Sequence, residues 1–543
     1  MKLLYTILLL FPLVVLGQWS NNPGTPLRVC PTNSNQYGPW IFPDGSSGQY
    51  IFWLDDRGEA TNPSDMKLFA QHLDQNGNRL FPDSGKLVVD HPTLKTSGFT
   101  IKRDGQGKFW IGWGMTTATR LDSIVMRKFD DVSLNPIWPK SKTIARIRAS
   151  DFNVLYLQSM QIVTTADSAS LLYMVTWMGG STVKFINRIS ANGTVRFGNG
   201  KSFSGYNQNY GPSTALVNSD GTLLLVQRNG NGSGTGVNAW KFDNKMNLNW
   251  GPKPLVPNPG LGYEFKVVSD GANGFVMAYV RANGDIIATR VDSAGNFVWT
   301  PAQRPICDHS SNQDSPDITR VGNNLYCVWT DNRPPASNSD IYMQKLDLMG
   351  SQLWNPNGRR VIRLNSYIPV PRIFPTADGN LIVGSHHSST GFLAQKVTPD
   401  STLVWPGYGL LIASGNALVP SYGSFGFSQG ANGDIFVAWQ GSQQTRIFVA
   451  GFAENGTLLT PNQDLLTYKS GMRLYPNPSS GTVQIEGIEA KEDTDVVIFD
   501  ATGKPVFRQK VGAGQTTLFI HSALPNGYYW VKAGSKTLPL LIQ

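Results

Sequence analysis

VDSAGNFVW, residues 291–299, and LDLMGSQLW, residues 346–354, share one shape. Each carries Asp-x-x-Gly, Asp292 with Gly295 and Asp347 with Gly350, and each ends on Trp, at Trp299 and Trp354, 55 residues apart. Glycine supplies the positive φ of a hairpin turn, and the Asp side chain accepts turn amides. Asp74-Gln-Asn-Gly77 and Ala453-Glu-Asn-Gly456 repeat the shape at the two ends of the same region. Working outward, the unit reads as an apolar strand ending in Trp or a substitute, a polar loop, a second strand, a turn, and a third strand often ending in Trp.

The first marker of the unit falls at Trp53, Trp113, Trp177, Gln227, Tyr279, Trp329, Ser385 and Trp439, a mean spacing of about 55 residues. Its last strand is expected to end at Phe81, Trp138, Phe197, Trp250, Trp299, Trp354, Trp405 and Leu459. A further strand precedes each marker, closed by a second turn at Arg103-Asp-Gly105, Ser219-Asp-Gly221, Ser269-Asp-Gly271 and Ala377-Asp-Gly379. Four short antiparallel strands per unit make one propeller blade, and radial closure protects the sheet edges. The fold class is therefore all-β, an eight-bladed β-propeller, with a seven-bladed ring or two smaller sheets also consistent. Trp19 to Val29 looks like the end of a unit when set beside Trp354 to Val361, and is expected to pair with the final blade and fasten the ring.

Composition agrees: 56 Gly, 34 Pro, 11% aromatic and only 15% charged residues describe a turn-rich β protein with many buried rings. The net charge is +9, of which the tail from 471, with 7 basic and 6 acidic residues, supplies +1. The remainder is mildly basic, suited to an anionic polysaccharide surface, and lacks the basic runs of a nucleic-acid binder. Lys2 precedes an apolar run from Leu3 to Leu16, the pattern of a cleavable leader over 1–17. The run is short of the ~20 residues that a membrane span requires, so no transmembrane segment is expected. Three cysteines, Cys30, Cys307 and Cys327, are too few for a disulfide scaffold; one pair could form, and Cys307 with Cys327 is the closest in sequence. Asn192-Gly-Thr194, Asn231-Gly-Ser233 and Asn455-Gly-Thr457 match the glycosylation triplet and read equally as turns.

Recurrence sorts the candidate residues, because a group found once per blade holds the blade, whereas a catalytic group should occur once. The Trp markers read as packing between blades. Asp55 with Arg57, and Asp331 with Arg333, occur in two units only. They read either as ligand contacts or as carboxylate–guanidinium braces of the loop. His386 and His387 fall at a marker position otherwise held by Trp, and one imidazole is a candidate for the ring interior. Asp308, His309, Asp314 and Asp317 form the most polar cluster but match no calcium or zinc spacing, so it reads as a solvated linker, and no metal or other cofactor is expected. No catalytic elbow, zinc-protease or phosphate-loop motif is present, and no paired carboxylates stand out from the turn aspartates. The binding candidates are thus Asp55, Arg57, Asp331, Arg333, His386 and His387, with no catalytic residue assigned.

The last seventy residues carry a different signal. LYPNPSSG (474–481) contains Tyr475, Pro476, Asn477 and Pro478, a rigid opening turn. VVIFDATGKPVF (496–507) is a strand, a tight turn at Gly503 and a returning strand, and LPNGYYWVKAGSKTLPLLIQ (524–543) holds Gly527, Tyr529, Gly534 and Lys536, with Tyr528 to Val531 expected as a buried edge strand. These strands imply a small Ig-like β-sandwich. The order of the three motifs resembles the type A C-terminal sorting domain of type IX secretion substrates. That resemblance implies recognition by the outer-membrane secretion machinery around Gly534, Lys536 and the apolar terminus, cleavage by a sortase-like peptidase, and attachment to the cell surface or release. The domains are then 1–17 leader, 18–467 propeller and 468–543 sorting domain.

The cargo, with Trp329-Thr-Asp331-Asn-Arg333 followed by Asp340 to Asp347, resembles the propeller repeats of uncharacterised exported bacterial proteins, a likeness that brings no chemistry. The Ser-x-Asp-x-Gly-x-x-Trp repeat of sialidases differs from the Asp-x-x-Gly-x-x-x-Trp found here. The functional expectation is an exported, non-enzymatic propeller that binds a glycan or a surface protein; the alternative is a secreted polysaccharide hydrolase or lyase.

Overall fold

The computed structural model describes residues 19–459, with breaks at 21, 58–65, 91–97, 118–119, 147–153, 166–167, 178–181, 203–212, 230–235, 257–260, 335–338, 367–369, 388–390, 408, 415–419 and 442–444. It also describes residues 473–542, with breaks at 476–481, 487, 489–492, 501, 514, 516, 522–523 and 535. The chain divides into two compact units, Met1–Pro461 and Asn462–Gln543. The expected leader at 1–17 and the expected boundary at 467 lie outside the described residues.

Among the described residues the first unit forms eight four-stranded antiparallel sheets, a β-propeller whose blades are numbered here in chain order. Blade 6 shows the pattern: Gln313–Val321, Asn324–Asp331, Ser339–Asp347 and Arg359–Ser366 pair in sequence order. Its second strand explains why the repeat reads as an unbroken apolar run. Side chains alternate across a strand, so Leu325, Cys327 and Trp329 enter the core shared with blade 5, while Tyr326 and Val328 enter the core shared with blade 7. A strand buried on both faces has no polar side to show.

Such a core lies between every pair of neighbouring blades, including the last and the first, where Trp19, Val29, Trp53 and Phe436 pack together. Blade 8 takes its outermost strand from the other end of the chain: Leu27 pairs with Val449 and Arg28 with Phe448. The ring is fastened as the segment ending at Val29 implied.

One element of the repeat differs from expectation. The stretch ending in Trp is a single-residue bridge in seven blades, such as Leu346 to Gln352, and the true outer strand begins after the Trp. Blade 4 alone keeps Trp250 inside its outer strand, Leu248–Val256. Across the seam, the indole of Trp299 donates to Leu348 O in the next blade's turn at 2.9 Å. Trp19, Trp138, Trp250, Trp354 and Trp405 make the same bond to Gln75, Ala191, Ser293, Pro399 and Glu454. At the two remaining seams Tyr50 donates to Asp131 O and Arg188 to Asn244 O. The second carbonyl of each turn is therefore held by the preceding blade. Gly350, at φ 81°, completes the joint: a Cβ there would sit 3.1 Å from the Trp299 ring.

The second unit has a three-stranded sheet, Arg473–Tyr475, Thr482–Glu486 and Thr517–His521, and a four-stranded sheet, Pro505–Val511, Thr494–Asp500, Gly527–Ala533 and Lys536–Ile542. Val483 and Ile485 of the first share a core with Val496, Ile498, Val531 and Leu540 of the second. Gly527–Ala533 is not an edge: it pairs on both sides, burying Tyr529 and Val531 while Tyr528 and Trp530 are exposed.

Candidate functional site

The two Trp-x-Asp-x-Arg units fold alike. Asp331 Oδ2 accepts from Trp329 Nε1 at 2.8 Å, and Arg333 grips the carboxylate with Nε at 2.9 Å and Nη2 at 2.6 Å. The guanidinium lies 4.0 Å over the Tyr342 ring. In blade 1 the Trp53 indole reaches Asp55 Oδ2 at 2.9 Å, and Arg57 pairs with the same carboxylate and lies 3.8 Å over Phe69. Both Asp side chains have no exposed surface. Burial alone would raise the Asp331 carboxyl, but hydrogen bonds from Arg333 and Trp329 outweigh it and hold it below the ordinary carboxylate range.

A third member of each unit escaped the sequence reading. Arg333 Nη2 lies 3.3 Å from Cys307 Sγ, and Arg57 Nη2 lies 3.3 Å from Cys30 Sγ. Cys307 ends the outer strand of the preceding sheet and Cys30 lies two residues beyond its counterpart, Leu27–Arg28, and each lies 24 or 25 residues before its Asp, a spacing that would have revealed the equivalence. All three cysteines are buried free thiols. Burial pushes the Cys307 thiol up to about 11, so it stays protonated at neutral pH.

His386 is buried in the strand Leu381–His387, in register with Phe392; the His387 side chain lies outside the described residues. The expected polar linker is in part a strand: only 308–312 connect blades, where His309 Nδ1 lies 2.9 Å from Ser311 Oγ, whereas Asp314 and Asp317 belong to the strand Gln313–Val321. Among the described residues no cluster of His, Cys, Asp or Glu could hold a metal ion.

A charged row is carried by three successive first strands, which pack against one another around the ring: Lys266 in blade 5, Asp317 in blade 6 and Arg372 in blade 7. Asp317 Oδ2 accepts the Ile373 amide of blade 7 at 3.0 Å, and Oδ1 accepts the Ile318 amide at 3.1 Å. Burial raises the Asp317 carboxyl above its ordinary range against the lowering influence of Arg372, Lys266 and these amides. Burial, helped by Arg372, lowers the Lys266 ammonium. The result is a carboxylate between two cations, with Glu264 of the same blade 5 strand also acting on Lys266. Nothing recurs in these positions to announce it, and Asp317 was visible only as one of several acids in a polar run.

In the second unit Asp500 Oδ1 accepts amides of Thr502 and Lys504 at 2.9 and 3.0 Å around Gly503, which has φ 82°. Tyr529 donates to Pro525 O at 2.7 Å, fixing the turn before Gly527, and Gly534 turns the chain at φ 58° between the last two strands, the second of which opens on Lys536. Tyr475 ends the first strand, while Pro476, Asn477 and Pro478 lie outside the described residues.

Fold and turns define a β-propeller joined to a small β unit. Residues 473–540 match the family described as the secretion system C-terminal sorting domain. The chain is accordingly a type IX secretion substrate, exported across the outer membrane to the cell surface or the medium. No curated protein matches the sequence. Among solved structures, a lectin from Burkholderia pseudomallei is 12% identical, over 67% of this chain and 94% of its own, with a TM-score of 0.41. An endo-arabinase from Bacteroides thetaiotaomicron is 13% identical, over 58% and 96%, at 0.28. A Penicillium chrysogenum alpha-L-arabinanase complexed with arabinobiose is 12% identical, over 67% and 96%, at 0.36. Likeness at this level carries nothing about function. Among the described residues no helix is long and apolar enough to cross a membrane.

Proposed function

We propose that this chain is an exported propeller that binds a glycan or a surface protein without transforming it. The observation that carries the reading is the row Lys266, Asp317, Arg372 on neighbouring first strands, a carboxylate that accepts two backbone amides and is bracketed by cations. The other buried carboxylates support it by their engagement elsewhere: Asp55 and Asp331 in the Arg braces, Asp104 with Lys128, Asp270 with Arg290 and Asp340 with Arg360. Glycoside hydrolysis uses two carboxyl groups, about 5 Å apart for retention and about 6.5–9.5 Å apart for inversion.

The reading is tested by glycan-array and surface-protein binding with the full chain, alongside product analysis on a polysaccharide panel. Saturable binding without products supports it; turnover that disappears in Asp317→Asn would replace it with the hydrolase or lyase alternative. For processing, we propose removal of the leader 1–17 and sortase-type cleavage of the tail. Intact mass of the protein from its host's surface checks both, and a full-length mass would refute them.

A further inference from the structure

The four-stranded sheet of the second unit has an outer face that departs from what a solvated sheet shows. An antiparallel sheet with one face on a core alternates apolar inside with polar outside. Gly527–Ala533 obeys on its inner side, where Tyr529, Val531 and Ala533 are buried in the core. On its other side stand Tyr528, 69% exposed, and Trp530, 42% exposed, with Lys532 beyond them. Trp530 is the one exposed tryptophan among the residues whose side chains are described.

Register sets the neighbours of these rings. Phe499 lies opposite Trp530, and Val506, 40% exposed, sits at the bulge opposite Phe499. Two residues along, Val497 is flanked by Arg508 on one strand and Lys532 on the other, and Lys510 stands opposite Asp495. Among the described side chains, the paired positions of this face thus hold aromatic and aliphatic groups at one end and three cations with one acid at the other. Asp500, which ends the same strand as Phe499, spends its carboxylate on the Thr502 and Lys504 amides of its own turn.

The combination selects the partner. Trp and Tyr join an apolar body to a polar tip and settle where hydrocarbon meets water. Lys and Arg beside them lay their stems on apolar surface and hold the charge out at the headgroups. A protein interface also favours Trp, Tyr and Arg but is depleted in Lys, and two of the three cations here are Lys. An anionic lipid surface suits all of them, and export across the outer membrane brings the chain to a lipid surface. We infer that this face docks the second unit on an anionic lipid surface, Tyr528 and Trp530 entering the headgroup layer while Arg508, Lys510 and Lys532 meet lipid phosphates. The docking is reversible, because two rings and three charges fall far short of the hold of a spanning helix. It is independent of the ligand proposed for the propeller.

The test is flotation of the full chain with vesicles of phosphatidylcholine, and of phosphatidylcholine mixed with phosphatidylglycerol, at low and physiological salt. Binding to the anionic vesicles is expected to be at least about tenfold tighter than to the neutral ones and to weaken with salt. Tyr528→Ser with Trp530→Ser, and separately Arg508→Gln with Lys532→Gln, should each lose at least about tenfold with unchanged thermal unfolding. Exchanging the rings, Tyr528→Trp with Trp530→Tyr, should retain most of the binding. No flotation with anionic vesicles, equal flotation with both kinds, or full flotation of the double serine variant overturns the inference. Self-association that vanishes in the double serine variant, without flotation of the parent, assigns the face to a second copy and overturns it. Flotation with vesicles made from host outer membrane but not with pure anionic lipid assigns the face to a protein partner and overturns it as well.

Discussion

Replacing Asp331 by Ala tests whether the Trp-x-Asp-x-Arg unit holds the blade or contacts a ligand. The carboxylate has no exposed surface, receives Trp329 Nε1 at 2.8 Å and two Arg333 nitrogens at 2.6 and 2.9 Å, and the Arg333 side chain is only 12% exposed. Removing it leaves a nearly buried guanidinium without its counter-charge and an indole N–H without its acceptor. Breaking such a pair from one side costs about 3–5 kcal/mol. Removing Arg333 as well should cost clearly less than the sum of the two single changes, because the stranded charge is then absent. The assay is urea unfolding followed by tryptophan fluorescence, comparing Asp331→Ala, Arg333→Ala and the double variant, with Asp55→Ala as the repeat in blade 1. A Asp331→Ala midpoint equal to the parent's, accompanied by lost ligand binding, would refute the brace and return Asp331 and Arg333 to the binding site.

The closure of the ring gives a graded series: Trp19→Phe loses the 2.8 Å bond to Gln75 O, about 0.5–1.5 kcal/mol, and part of the ring packed on Phe436, whereas Trp19→Ala empties a seam core, about 3–5 kcal/mol, and the order is checked by thermal unfolding. Ser401 sits at φ 77° in the blade 7 turn where five other blades place Gly, so Ser401→Gly should gain about 1 kcal/mol and Gly350→Ala should lose more than that, read from the same melts. Asp331 and Asp317 should respond to pH with opposite sign. The depressed Asp331 carboxyl contributes stability above its unfolded pKa that is lost as pH falls through the folded value. The raised Asp317 carboxyl costs stability as pH rises from the unfolded toward the folded value. Asp317→Asn should therefore stabilise the protein at pH 7 and lose that advantage below the unfolded carboxylate range, and Asp331→Asn should destabilise at pH 7, as unfolding midpoints across pH 3–7, a window of about four pH units, would show.

The blade was legible in the sequence because its determinants are local. Asp292 and Gly295 make their turn from contacts within four residues, and the apolar run Leu325 to Trp329 follows from a strand buried on both faces. The sorting tail was legible for the same reason, its Asp500 to Lys504 turn and its strands being written in consecutive residues. What the Trp residues at six of the seams do was not legible, since the partner of each lies in the next blade. The site was hidden further still. Lys266, Asp317 and Arg372 are 51 and 55 residues apart in sequence, and Cys307 meets Arg333 across 26. Closing the ring converts a repeat distance along the chain into one step around the axis. The repeat by itself determined that the chain would make blades, and the tail where it would be sent; only the ring decided which charges became braces and which were brought together on neighbouring first strands, because burial and the neighbours it brings set the cost of every charge.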